Sequence, residues 1–304
     1  MRHFSIIGLG SGLASALLCY SAARGSPALS AALFLLAPLP MLVAGLGWGW
    51  LAATVAALAA SVALGIASGM RAALAHGLAM GLPAVVTAYL AYLSRPDPYH
   101  EDAREWYPVG RLMAAVAIYA GALPVLVLPL IGGSYESMRK PLAQMLQRAE
   151  ALGMKPFTED QALAALPAAF SAYWLIILTL NLYLAGRIVL ASGRLGRDWP
   201  DIPAMAYPAG FPLLLVAAIA ASYAPGTLGI AGTSFTGGLL VAYLVAGLAL
   251  MHFIARGRAP WALWLVYAAL ILFGPYAAIA ITLGGLIDPV FRLKQRLGAH
   301  PPSK

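Results

Sequence analysis

Charge is what this sequence has least of. Only 10% of its 304 residues are Asp, Glu, Lys or Arg, 62% are hydrophobic, and the mean hydropathy is +0.82. That excludes a soluble fold, because such a chain has too little polar surface to cover itself. The shortage is also patterned. Residues 202–255 run for 54 positions without a charged side chain, and residues 25–70 for another 46. Five more charge-free stretches fall at 3–23, 72–94, 112–135, 161–186 and 259–287. A bilayer core takes about 20 apolar residues per helical span. Cysteine is almost missing too: Cys19 stands alone inside one such stretch, which excludes an internal disulfide framework and a cysteine-based metal site.

Also absent are HExxH, Walker A and GxSxG motifs, and any His or Cys pair at metal-ligand spacing. No catalytic residue, metal or cofactor is therefore expected, and the chain reads as a non-enzyme. Gly8-Leu9-Gly10-Ser11-Gly12 lies inside an apolar run with no strand before it, so it does not read as a phosphate loop. The net charge of +8 comes from 19 Lys and Arg scattered over many loops, not gathered in one stripe. They read as topology signals, not as a nucleic-acid surface.

What is present is helix. In lipid every backbone amide must be paired internally, which leaves helices or a closed barrel, and the runs lack a barrel's alternation. The expected fold is an all-α polytopic transmembrane bundle of eight or nine spans plus one interfacial amphipathic helix. Spans are placed near 4–23, 28–47, 49–68, 72–94, 112–131, 161–186, 208–226, 232–255 and 260–287. Residues 1–290 are expected to form a single membrane domain with an interfacial loop at 132–160, and 291–304 a basic cytoplasmic tail. Ser21-Ala22-Ala23 fits a signal-peptide site loosely, but the apolar run from Phe4 already has span length and is expected to stay. Pro38 and Pro40 should kink the second span, and the glycines and tryptophans of 45–50 suit a tight interfacial turn. In the 131–160 loop, Leu142, Met145, Leu146, Ala149 and Leu152 recur at helical spacing opposite Arg139, Lys140, Gln144, Gln147 and Arg148. That pattern predicts a helix lying in the interface and ending near Gly153. Thr158-Glu159-Asp160-Gln161 predicts a capping box opening the sixth span.

Nine plain crossings would put nine basic residues on one side of the membrane and ten on the other, so the positive-inside rule could not choose. Gly274-Pro275 interrupts the last segment. If the chain dips and returns there, the count becomes 13 against 6, with both termini on the basic, cytoplasmic side.

Polar groups inside spans point to candidate sites, because each is costly without a partner. Trp174 and Asn181 share a helix face and, with Tyr183 and Tyr276, could line a ligand pocket; alternatively Asn181 bonds a neighbouring helix's backbone. Gly8, Gly12 and Ala16 make a small-residue face for helix docking, against the same chain or against a separate subunit. His252 sits at a span end, facing headgroups or serving a ligand. Asp288 either pairs with Arg292 at i+4 or acts as a functional carboxylate.

Several stretches together resemble the YybS-like family of uncharacterised bacterial membrane proteins, which carries a domain of unknown function. They are Leu36-Ala37-Pro38-Leu39-Pro40 through Gly47-Trp48-Gly49, Gly81-Leu82-Pro83-Ala84, Asn181-Leu182-Tyr183-Leu184-Ala185-Gly186-Arg187-Ile188 and Ser192-Gly193-Arg194-Leu195. Gly247-Leu248-Ala249 with His252, and Leu283-Gly284-Gly285-Leu286-Ile287-Asp288 followed by Phe291-Arg292, complete the resemblance. The family often has Gln before the Gly-Leu-Ala stretch; here Ala246 stands there, so no amide role carries over. More distantly the family is similar to the S-components of energy-coupling factor transporters and to the cell-shape protein MreD. This resemblance implies a bacterial inner-membrane protein that captures a small molecule. It also implies docking through the first helix to a separate transmembrane coupling subunit that supplies the energy. The rival expectation is a scaffold of the cell envelope that works by helix packing, without a ligand.

Overall fold

The computed structural model describes residues 2–97, 104–127, 130, 135–151, 153, 158–256, 259–291 and 293–298. Among the described residues the regular structure is helical apart from one two-stranded hairpin, β1 (Ser94–Pro96) against β2 (Arg104–Trp106), in which Arg95 faces Glu105. Among the described residues, seven helices are long and apolar enough to cross a membrane: Phe4–Ala22, Leu29–Trp48, Trp50–Ser68, Met70–Ala91, Val109–Val127, Glu159–Ala191 and Gly226–Ala255. The protein is an all-α membrane bundle.

Proline shapes the first half. The second span is two helices, α2 (Pro27–Leu36) and α3 (Leu39–Trp48), after α1 (Arg2–Ala22) and before α4 (Trp50–Ser68). Ala37 and Pro38 separate α2 from α3, and Gly49, with φ of 92°, makes the tight turn into α4. The fourth span joins α5 (Met70–His76) to α6 (Leu82–Ala91) through a π-helical turn, Gly77–Gly81. On α1, Ile6, Leu9, Leu13 and Leu17 are exposed as a lipid-facing stripe. Its opposite face packs on α4, with Gly8 against Ala52 and Val55 and Gly12 against Ala56 and Ala59, so the two helices run parallel.

In the second half, α7 (Val109–Val127), α9 (Glu159–Ala191) and α11 (Gly226–Ala255) form the centre. Ala168 abuts Gly237, while Thr179 and Val245 meet at one cavity about two to three turns further on, so α9 and α11 run in the same direction. The chain must therefore return between them. It does so through coil 192–210 and α10 (Phe211–Ser222), which packs antiparallel on α11 through Ser222 at Gly232 and Phe211 at Tyr243. The expected continuous span at 208–226 is thus replaced by a 12-residue helix, about 18 Å long. Pro203 and Pro208 deny the coil a helical hydrogen-bond ladder, and Pro212 falls in the helix's first turn.

The 260–287 segment takes the interrupted form that Gly274-Pro275 predicts. It divides into α12 (Ala262–Phe273) and α13 (Pro275–Phe291) at Gly274, whose φ of 46° no other residue type adopts easily. Gly285 stands against Gly247, each beside the carbonyl four residues before the other, Tyr243 and Ile281, so α13 runs in the same direction as α11 and ends where α11 stops. After α13, Lys294 in α14 (Leu293–Gly298) donates to the Met205 carbonyl at 2.6 Å, close to the Asp201–Arg256 ion pair. The last segment dips and returns, placing Arg256 and Lys294 at one end of the bundle. The β-hairpin, the start of α4 and the start of α1 lie at that end too. Between α7 and α9, α8 (Arg139–Ala151) is the expected amphipathic helix, with Met145 exposed, and Gly153 turns with φ of 77°. Leu152 lies outside the described residues. The Thr158 capping box closes in both directions with Gln161.

Helices approach so closely here that a single methyl is excluded. A Cβ at Gly237 would sit 2.3 Å from the Ala168 carbonyl oxygen, whereas one at Gly10 would meet nothing within 4 Å. Gly237→Val should lower stability by about 1–3 kcal/mol, and Gly10→Val should be near neutral. Denaturant titration of both variants in detergent measures the difference; equal curves would refute this packing.

Candidate functional site

Two groups of buried polar side chains stand out. The first serves backbone carbonyls at or beside the proline breaks. Asn181 donates from Nδ2 to the Leu35 carbonyl at 2.7 Å and to its own helix at Ile177 at 2.8 Å. Ser15 donates to the Ala37 carbonyl at 2.7 Å; both acceptors flank the α2–α3 break. Pro83 has no N–H to give to Ala79 four residues back, and Trp174 Nε1 takes that carbonyl at 2.8 Å. The Tyr119 hydroxyl donates to the adjacent Leu78 carbonyl. His76 Nε2 lies 3.2 Å from Ser15 Oγ; because that hydroxyl's proton is committed to Ala37, the imidazole donates from Nε2.

Trp174 and Asn181 share a face as expected, but that face is fully packed, with Trp174 stacked on Phe170 and edge-on to Phe34. Neither lines a cavity. Tyr276 is 81% exposed and likewise lies away from any cavity among the described residues. Gly8, Gly12 and Ala16 dock helices of their own chain, so that face is closed to a separate subunit. His252 Nε2 sits 2.7 Å from the Tyr267 hydroxyl. Asp288 pairs with Lys294 instead of the expected Arg292: its carboxylate lies 3.3 Å from Nζ and accepts the Lys294 backbone N–H at 3.1 Å. Pro289 lies inside α13 and has no N–H to give to Gly285. Arg292 lies outside the described residues.

The second group surrounds a cavity of about 140 Å³ at the hairpin end, between α7, α9 and α11 and under coil 192–210. Leu112, Met113, Leu182, Ile202, Met205 and Val245 make its walls apolar. Tyr183 borders it, edge-on to Trp199 with ring centroids 5.8 Å apart. Of the four pocket residues expected from sequence, Tyr183 is the one the structure brings here. Thr179 and Arg197 are the cavity's polar members, and both Thr179 Oγ1 and Arg197 Nε are buried without a hydrogen-bond partner. Arg197 anchors through a 2.8 Å bond to the Ala91 carbonyl and lies over the Trp106 ring. Burial pulls its pKa below the ordinary value, yet a guanidinium stays charged at any physiological pH.

The coil is fastened at several points. Gly193, in the left-handed region, ends α9; Gly196 N–H donates to Tyr92; Arg187 lies over Trp199 and Arg194 over Trp48. Asp201 forms a two-pronged pair with Arg256, at 2.5 and 2.9 Å, which holds its carboxyl below the usual range. Thr179, Arg197 and Trp199 were not singled out from sequence. The Gly196-Arg197-Asp198-Trp199-Pro200-Asp201 cluster, charged and aromatic between two spans, was the signal available. Among the described residues no three His, Cys, Asp or Glu side chains gather as a metal site requires.

Compared with known proteins, residues 12–289 match the model of a family described as predicted membrane protein (DUF2232). No curated protein and no solved structure matches the chain.

Two outcomes follow. Asn181→Leu should cost about 1–3 kcal/mol, since it strands the Leu35 carbonyl, while leaving the cavity lining untouched; unchanged stability in detergent unfolding would refute the carbonyl role. Asp201→Asn should weaken the coil's fastening at neutral pH. Because pairing lowers the Asp201 pKa, its contribution exists above the ordinary value of 3.8 and disappears as pH falls through the lowered one. Hydrogen exchange at 196–205 should thus differ between wild type and variant at pH 7 and converge in acid; a pH-independent difference would contradict this.

Proposed function

From the premise that the chain belongs to the DUF2232 family of predicted membrane proteins, we propose that it is a small-molecule-binding membrane subunit related to transporters. The observation that carries this reading is the cavity under coil 192–210. The short α10 leaves room at the headgroup end of α7, α9 and α11, and the coil roofs that space. Apolar walls with a few polar anchors are what small-molecule sites are made of, and Thr179 and Arg197 are such anchors.

The chain is a binder, not an enzyme, and without a nucleotide motif it needs a separate energising partner. The resemblance to YybS-like proteins and, further off, to S-components supports this class. The S-component mode of docking does not carry over, because α4 occupies the small-residue face of α1. In this reading the hairpin end faces the cytoplasm of a bacterial inner membrane, since the dip-and-return topology read from sequence assigns 13 basic residues to that side against 6.

Native mass spectrometry of the purified protein tests it. A retained small molecule that disappears in Val245→Trp, which fills the cavity, is the expected result. A bare mass in the wild type, with a co-purified envelope protein, would overturn it in favour of a scaffold.

A further inference from the structure

We propose that the cavity takes a single-chain amphiphile with an anionic head, admitted sideways from the lipid. The inference rests on the cavity being a binding site and adds the class of ligand. Three observations lead to it.

The first is the opening. Tyr173, Ile176, Leu180 and Tyr183 recur at helical spacing on the outer face of α9, each between about a third and a half exposed. Tyr183 belongs at once to this lipid-facing stripe and to the cavity wall, so the cavity reaches the bundle's outer surface beside α9. A ligand can enter there without the helices parting.

The second is the division of chemistry. The walls are hydrocarbon, and the volume of about 140 Å³ is close to that of engineered cavities of about 150 Å³ that hold benzene. That is room for the head end of one slender chain, the remainder lying in lipid beside α9, and too little for a two-chain lipid. The two unpartnered polar atoms, Thr179 Oγ1 and Arg197 Nε, can both donate, and the second belongs to a permanent cation. A buried donor without an acceptor calls for an explanation, and an anionic head supplies the acceptor and the opposite charge together.

The third is depth. The coil over the cavity carries Arg197 and Trp199, with Arg187 over the Trp199 ring and Trp106 beneath Arg197. Basic and indole side chains gather where a bilayer's headgroups lie. The head of an amphiphile would meet Arg197 at its natural level while the start of its chain lay below, among Leu112, Met113 and Val245.

The test is native mass spectrometry of the detergent-purified full chain, titrated with oleate and with oleyl alcohol, which has the same chain and an uncharged head. Oleate should give one saturable adduct. Arg197→Gln should weaken oleate about tenfold or more, the loss of one charge-assisted hydrogen bond. It should leave oleyl alcohol unchanged, and Val245→Trp should abolish both. Arg197→Lys, which keeps the charge, should retain the preference for oleate, and its result stands if the Gln variant unfolds. Oleyl alcohol binding as tightly as oleate, or oleate insensitive to Arg197→Gln, overturns the anionic class. Neither probe binding while the protein keeps some other molecule overturns the amphiphile class but not the binding site. Neither probe binding to a protein that purifies bare overturns both.

Discussion

A peptide carbonyl inside a bilayer has no water to accept from, and that constraint organises this protein. Its spans contain prolines at positions that break the helical ladder, and the breaks at Pro38 and Pro83 are each answered by donors from elsewhere. Asn181 and Ser15 reach the carbonyls beside Ala37–Pro38; Trp174 and Tyr119 reach those of the turn before Pro83. The donors come from α1, α7 and α9, so the breaks hold distant parts of the chain together. A straight α2–α3 would need neither Asn181 nor Ser15, and the bundle would lose polar pins that fix how its two halves meet.

Small residues are the other half of the same economy. With no hydrophobic drive between helices in lipid, close backbone approach has to supply the association. Gly8 and Gly12 on α4, Gly237 on α9, and Gly247 and Gly285 between α11 and α13 bring backbones within reach at successive levels. The two devices are complementary: glycine allows the approach, and the buried donors set its register.

Much of the architecture was legible in the residues. Long uncharged runs mark a chain packed in lipid, and the proline pair at 38 and 40, the capping box at Thr158 and the interruption at Gly274 each follow from local chemistry. What misled was treating apolar length as helix. Residues 208–226 are as greasy as any span, yet three nearby prolines keep half the transit irregular, and composition cannot see a hydrogen-bond ladder. The site was harder still. Asn181 and Trp174 stood out because they are polar in apolar surroundings, but that rarity marks a structural bond as readily as a ligand's partner. The cavity residues come from α7, α9, α11 and a coil, far apart in sequence, and only the fold brings Thr179 beside Arg197. Tyr183 was found for its neighbours in sequence and belongs to the cavity for another reason, the edge-on contact with Trp199.

The fastening of the final turn reaches further than its position suggests. Lys294 holds the carbonyl of Met205, and Met205 is itself part of the cavity wall. The carboxyl-terminal helix is therefore a guy-rope for the pocket's ceiling. A reporter or affinity tag fused near that end would tug on the binding chamber, whereas one at the amino terminus, beyond α1, would leave it slack.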